Sequence, residues 1–286
     1  MQRVIQRLKD FNELVMFQHS IFSLPFIFIA MIVAADGWFG FSLLFLGVLA
    51  AVTARNFAMG LNRYADRDID AQNPRTENRP SVDGRLDGSV ILLFTIVNAL
   101  VFIAIAYMIN DLAFAMSVPI LFILGSYSYF KRFSSLAHVV LGVSLGLAPI
   151  AGVVAVSGTI TVWSLLLSVG VVFWVAGFDL LYSLQDIDFD KQRGLHSIPS
   201  KYGADATLFI STIFHGITIM FWAFFVTCAS LGFFAWVAVI FSAFMLGYEH
   251  YLVRKEFTKI DRAFFTVNGY LGVVFFVMIV LDRIFA

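Results

Sequence analysis

The chain has 286 residues, of which 60% are apolar and 13% charged, with 33 phenylalanines and a formal net charge of zero. Such a composition is too apolar for a soluble domain and reads as a polytopic membrane protein, while the balanced charge points to no nucleic-acid partner. The single cysteine, Cys228, excludes an intrachain disulfide and a zinc–cysteine cluster and reads as a small core residue.

Residues 1–13 place Val4, Ile5, Leu8 and Phe11 at helical spacing, with Arg3, Arg7 and Lys9 among them. That pattern predicts an amphipathic helix lying on the cytoplasmic surface. No cleavable signal peptide is evident. A span needs about 20 apolar residues, and such runs are expected near 14–35, 41–65, 89–109, 112–130, 136–157, 162–185, 206–229, 232–252 and 264–284. The expectation is an all-α integral membrane protein: one domain over 1–286, a bundle of nine transmembrane helices around a central cavity. Tight connections fall at Asn110-Asp111 and at 230–232, and Pro25, Pro119 and Pro149 are expected to kink their spans.

Charge orients the bundle. Arg63, Arg67, Arg75, Arg79 and Arg85 gather around the end of the second span, Lys131 and Arg132 follow the fourth, and Lys191, Arg193 and Lys201 follow the sixth. Arg254, Lys255, Lys259 and Arg262 follow the eighth, whereas the opposite loops offer Asp36 and Asp111. By the positive-inside bias the even-numbered spans end at the cytoplasm, with the N-terminus cytoplasmic and the chain multi-pass in a bacterial-type inner membrane.

The stretch NRYADRDIDAQNPRTENRP, residues 62–80, crowds acids and bases into one place. On a helix at 100° per residue, Asn62, Asp66 and Asp70 fall within about 80° of one another, and Arg55 shares that face about 10 Å deeper. The sixth span repeats the arrangement in DLLYSLQDIDFD, where Asp179, Tyr182, Asp186 and Asp190 share a stripe. Asp66 and Asp186 are 120 positions apart, as are Asp70 and Asp190, which suggests a parallel repeat. Two acidic stripes facing each other inside a bilayer need compensation. Hard oxygen ligands at this spacing suit Mg²⁺, which bridges carboxylates to substrate phosphates, and the nearby arginines and lysines suit the remaining phosphate oxygens. The plainer alternative is a pair of solvated helix ends, which leaves the matching of the two motifs unexplained.

These residues carry a resemblance. The patterns N-x-x-x-D-x-x-x-D and D-x-x-Y-x-x-x-D-x-x-x-D, together with HSIFSLPF, NPRTENRP, YSYFKRF, VVLGVSLGLAPI and GLHSIP, resemble the UbiA superfamily of intramembrane prenyltransferases nearly end to end. Arg63 stands where many quinone-pathway members have aspartate. With AGFDLLYSLQDIDFD and the late YEH (Tyr248, Glu249, His250), it is similar to a subgroup labelled 4-hydroxybenzoate polyprenyltransferase or serving menaquinone synthesis by the futalosine route.

The resemblance implies Mg²⁺-dependent transfer of a polyprenyl group from its diphosphate to an aromatic carboxylic acid, 1,4-dihydroxy-6-naphthoate or 4-hydroxybenzoate, with the naphthoate favoured. It implies Asn62, Asp66, Asp70, Asp186 and Asp190 as metal ligands, direct or through water. The catalytic set then comprises the four motif aspartates together with Asp179 and Tyr182, which would orient the ring, take a proton or support the metal. Arg75 and Arg79 would fold over the diphosphate with Tyr127 and Lys131, and Lys191 is a weaker addition. Arg132 would grip the aromatic acid. Arg55, the one base clearly within a span, would read the acceptor carboxylate with Arg63, or else pair with Asp179 or the backbone. The isoprenoid tail would lie in a Phe-rich groove, so the lipid bilayer and the two substrates are the expected partners, with no obligate protein partner. His19, His138, His215 and His250 are scattered and expected to make ordinary polar contacts, with Glu249-His250 at the interface; His196 is placed near the diphosphate. The rivals are a different acceptor on the same fold and a secondary transporter for an anionic substrate.

Overall fold

In the computed structural model, residues 2–16, 22–255, 260 and 263–285 are described. Every regular element among them is helical. In chain order they are α1 (Gln2–Val15), α2 (Leu24–Ala35), α3 (Phe41–Ala65), α4 (Arg67–Asp70), α5 (Gly88–Ile109), α6 (Asp111–Phe130) and α7 (Ala137–Ser157). Then follow α8 (Val162–Ser183), α9 (Ile187–Arg193), α10 (Ile198–Cys228), α11 (Phe233–Lys255) and α12 (Asn268–Phe285). Eight helices among the described residues are long and apolar enough to cross a membrane. The element matching the first expected span, α2, has only 12 residues. His19 and the basic residues Lys259 and Arg262 lie outside the described residues.

Local chemistry sets the ends. Thr161 and Ser164 cap α8 reciprocally, side chain to backbone in both directions, and Ser197 and Ser200 do the same for α10. Each pair satisfies two amides that a helix start leaves orphaned. Asn110, extended at φ −171°, accepts from the Ala113 amide and turns α5 into α6 within one residue. The prolines behave unevenly. Pro25 opens α2, where its missing N–H costs nothing, and the backbone break in α10 falls instead at Gly203, at φ +82°. Cys228 is exposed at the end of α10, not in the core.

Helix α8 with its extension is the central post: two thirds (67%) of its apolar window is buried, more than in any other span. Phe26, Trp174, Trp222, Phe225 and Phe275 are fully buried around it, with Phe26–Trp174 and Trp222–Phe275 ring centroids at 5.1 and 4.9 Å. Such close packing requires small residues where backbones meet. A Cβ at Gly142 of α7 would strike the Val172 carbonyl of α8, and one at Gly146 would strike the Val172 side chain. On the other side of α8, Gly170 and Gly177 receive Trp222 and His215. Ser168 Oγ donates to the Gly146 carbonyl at 2.5 Å and fixes the α7–α8 register.

Helix α1 packs against α3. Leu14 is buried with Leu86 and Ile91, and Arg85 clasps Glu13 at 2.6 Å and Asp10 at 3.5 Å. Gly142→Leu is expected to overpack the α7–α8 contact by about 1–3 kcal/mol or more, read as a lowered thermal unfolding midpoint in lipid, whereas Gly216→Leu, where added atoms meet open space, should leave it unchanged.

Candidate active site

Both acidic motifs lie where their helices break. Helix α3 stops at Ala65, and Asp66 has φ −97°, ψ 7° before the single turn of α4. Helix α8 passes through a 3₁₀ turn at Leu184–Asp186, and Asp186 has φ −102°, ψ 7° before α9. The continuous helical stripes expected from the sequence are therefore interrupted at the same residue of each motif, in the same backbone conformation. The first aspartate ends the span, and the second sits on a separate short helix.

The carboxylates are paired with bases. Asp66, 2% exposed, takes Lys131 Nζ at 2.8 Å and Asn62 Nδ2 at 3.0 Å on Oδ2. Burial pushes its carboxyl above the usual range, with Lys131 opposing the rise. Arg79 donates to Asp70 Oδ2 at 2.7 Å. Arg75 forks onto Asp186 at 3.0 and 2.5 Å and also donates to the Tyr182 hydroxyl at 3.1 Å. Burial weakens the Arg75 charge, but the bonds to Asp186 outweigh it and hold its pKa above the ordinary value. The loop NPRTENRP thus spans from the first motif to the second. Asn73 braces it, accepting from the Arg75 amide and donating to Asp186 at 3.3 Å.

A polar cavity of about 270 Å³ lies beneath this loop. Asn62, Arg63, Asp66, Asp70, Arg75, Arg79, Tyr127, Lys131, Asp179, Tyr182, Asp186 and Asp190 line it, joined by His138 and His196. An apolar cavity of about 200 Å³ adjoins it, and Tyr127 and Leu141 line both. Its wall is not rich in phenylalanine. Ala50, Ala51, Ala54, Ala58 and Ala148 dominate, and Phe102 is its one phenylalanine. Large aromatics such as Phe45 and Phe122 are exposed on the outside instead, because only small side chains leave room between helices.

Four expected site residues have further or other surroundings. Arg132 bonds Asp68 at 3.0 Å and the Ala65 carbonyl and comes within 3.5 Å of Asp66 Oδ1, behind the cavity lining, and its guanidinium holds the Asp68 carboxyl below the usual range. Lys191 is exposed on α9, outside the cavity lining. Arg55 lines the apolar cavity but donates to the backbone carbonyls of Val15 and Met16 at 3.2 and 3.0 Å, not to Asp179. Arg63 likewise reaches the Leu14 carbonyl at 3.4 Å and approaches Asp70 at 3.9 Å. The two arginines neutralise the negative end of α1.

His138, His215 and His250 make the polar contacts expected of them, with partners far along the chain. His138 Nδ1 meets Asp179 Oδ2 at 2.7 Å. His215 and His250 sit 3.0 Å apart beside Glu249, which is 1% exposed and takes Asn268 Nδ2 at 2.7 Å. Glu249 and His250 are thus buried rather than interfacial, because α11 runs on to Lys255 and α12 supplies an amide partner. Spacing along the chain had no means of revealing contacts made across 41 and 35 positions.

Whether these residues suit Mg²⁺ can be tested on the geometry. Among the described residues no three acidic or histidine side chains converge closely enough to hold a metal directly. The donors are nonetheless hard oxygens from both motifs around one cavity, and buried Asp66 Oδ1 accepts no hydrogen bond, with Arg132 at an ion-pair distance of 3.5 Å. That set fits a small cation that keeps several of its waters.

Together these features define a class: an all-helical membrane protein with two matched acid–base motifs at one end of an apolar cavity. Residues 23–279 match the UbiA prenyltransferase family. The chain is 30% identical over 249 residues to the 4-hydroxybenzoate octaprenyltransferase of Xanthomonas oryzae pv. oryzae, covering 87% of this chain and 83% of that one. A UbiA homolog from Aeropyrum pernix K1 superposes with a TM-score of 0.83 at 30% identity, over 92% of this chain and 98% of that one. A UbiA homolog from Archaeoglobus fulgidus bound to DMAPP and Mg²⁺ shares the fold, with a TM-score of 0.79 at 18% identity over 97% and 100%. The chain belongs to the UbiA prenyltransferase family and is a membrane prenyltransferase. The transporter alternative is set aside.

Lys131→Met should weaken binding of a prenyl diphosphate by about tenfold to a hundredfold, the worth of one charge-assisted hydrogen bond. Titration calorimetry in detergent with a non-reactive thio-diphosphate analogue measures this.

Proposed function

We propose that this enzyme transfers a polyprenyl group from polyprenyl diphosphate to an aromatic carboxylic acid, with Mg²⁺ required. The observation that carries this reading is the junction of the two cavities. A prenyl diphosphate is a polar head joined to an apolar tail. A polar cavity walled by both aspartate motifs abuts an apolar one at Tyr127 and Leu141. The head would lie under the NPRTENRP loop, the tail between the alanine-lined helices, and the scissile C1–O bond at the junction. The Archaeoglobus neighbour bound to DMAPP and Mg²⁺ supports the donor and the metal, and the Xanthomonas relative supports an aromatic acid bearing a hydroxyl.

Asn62, Asp66, Asp70, Asp186 and Asp190 would hold Mg²⁺, directly or through water. Bound there, the metal neutralises charge building on the departing diphosphate. Arg75, Arg79 and Lys131 exchange carboxylate partners for phosphate oxygens and stabilise the same charge. As the C1–O bond breaks, an allylic cation forms and the electron-rich ring attacks it. The apolar wall keeps water from that cation. Arg55 and Arg63 flank the junction and suit the acceptor carboxylate. Asp179 and Tyr182 face the ring as orienting group or proton acceptor. The basic loops support a cytoplasmic position for this end of the bundle, with α1 along the membrane surface.

The test is a product assay. Purified protein in lipid receives Mg²⁺, a polyprenyl diphosphate and either 4-hydroxybenzoate or 1,4-dihydroxy-6-naphthoate, with detection by mass. A prenylated acid is expected, absent without Mg²⁺ and in Asp66→Ala and Asp186→Ala; whichever acid is consumed names the pathway. Failure of both acids to be prenylated would overturn the acceptor class. Ala54→Phe should fill the alanine-lined cavity, slowing long-chain donors at least tenfold while sparing dimethylallyl diphosphate, as competition between the two donors would reveal.

A further inference from the structure

We propose that His138 is a positioning residue for proton removal, holding Asp179 so that its carboxylate takes the proton that the aromatic ring must lose. The inference rests on the reading above and adds a residue to it.

Three observations place His138 at the reaction centre. It lines the polar cavity, as does Asp179. It stands one helical turn before Leu141, one of the two residues that line both cavities, so it is beside the junction where the donor's C1 would lie. Its Nδ1 is 2.7 Å from Asp179 Oδ2, across the α7–α8 interface.

The approach depends on glycine. His138, Gly142 and Gly146 form one stripe on α7 at i, i+4, i+8. The glycines meet Ser168, Val172 and Ala176 of α8, and continuing that antiparallel register brings position 138 to Asp179. A larger residue at 142 would hold the helices apart and break the contact.

The chemistry follows from the donor and acceptor inventory. An ionised carboxylate only accepts, so His138 donates from Nδ1–H. Oδ2 of Asp179 is thereby fixed, which leaves Oδ1 as the oxygen that His138 does not hold. Asp179 keeps 22% of its side chain exposed, against 7% for His138. The carboxylate is therefore the member that reaches a substrate, and the imidazole stands behind it. His138 Nε2 is buried without a partner. Leaving a polar atom unsatisfied costs stability, a cost retained at a position that orients something else.

The step balances. The C1–O bond breaks and its electron pair leaves on the diphosphate. A ring π pair forms the new bond to C1. The C–H bond at that ring carbon then breaks, its electron pair restores the aromatic ring, and the proton goes to Asp179 Oδ1. His138 exchanges no proton; it sets the rotamer and charge of the acceptor group, as the aspartate does for histidine in a hydrolase triad with the roles reversed.

Two substitutions of similar size separate positioning from mere packing. The amide of asparagine lies where Nδ1 does, and the amide of glutamine does not. Steady-state kinetics use acceptor carrying deuterium at the ring carbon that is prenylated. H138Q is expected to lower kcat about a hundredfold, leave the donor KM unchanged and raise the deuterium isotope effect above that of the parent. H138N is expected to recover most of the rate and the parent's isotope effect. The proposal fails if H138Q matches the parent, if kcat falls without a larger isotope effect, or if H138N is no better than H138Q. An H138Q protein that does not fold also counts against it, since the bond would then be architectural. A parent enzyme that prenylates neither acid instead overturns the reading on which the proposal rests.

Discussion

The structure is organised by the need to keep carboxylates charged inside an apolar bundle. Isolated carboxylates there are expensive, and each of the paired motif aspartates has its own base: Asp66 with Lys131, Asp70 with Arg79, Asp186 with Arg75. Because Arg75 and Arg79 come from the loop after the first motif, while Asp186 belongs to the second, the neutralising contacts also tie the two halves of the site together. Buried pairs of this kind contribute little net stability. Their value lies in holding ligands of both signs around one cavity.

Around that cavity the bundle is built on close approach. Helix α8 carries Asp179, Tyr182 and the turn to Asp186, and glycines let α7 and α10 come against it. The same small-residue logic leaves the alanine-lined channel between α3, α6 and α7. Bulk is placed elsewhere, in the aromatic core around Trp174 and Trp222 and on the lipid-facing outside. Packing and catalysis are thus set by one distribution of side-chain volumes.

Much of this was legible in the sequence. The apolar runs gave the long helices, and two motifs of hard-oxygen residues 120 positions apart gave the polar cavity wall, down to Asn62 and Tyr182. What stayed hidden depends on contacts between distant segments. Periodicity predicted unbroken helices through Asp66 and Asp186, because a break costs only a turn and leaves no proline or glycine behind. A backbone bond was one of the alternatives open for Arg55, but nothing in a one-dimensional pattern reveals that the carbonyls are those at the end of α1. The partners of His138, His215 and Glu249 were invisible for the same reason. The lining of the apolar cavity was misread because phenylalanine is abundant overall, whereas a channel is found by what is missing from a helix face.

The matched breaks at Asp66 and Asp186 divide each motif between two kinds of structure. The first aspartate belongs to a helix locked in the bundle, and the second rides on a short segment outside it. The spacing of the acids survives the break, because the Asp70 amide still bonds the Asp66 carbonyl at 2.8 Å, one helical turn back. What the one-residue hinge sets is the direction in which α4 or α9 leaves its span. Evolution or an engineer can re-aim the second acid of each motif by rewriting a few residues on those short helices, leaving the membrane scaffold intact.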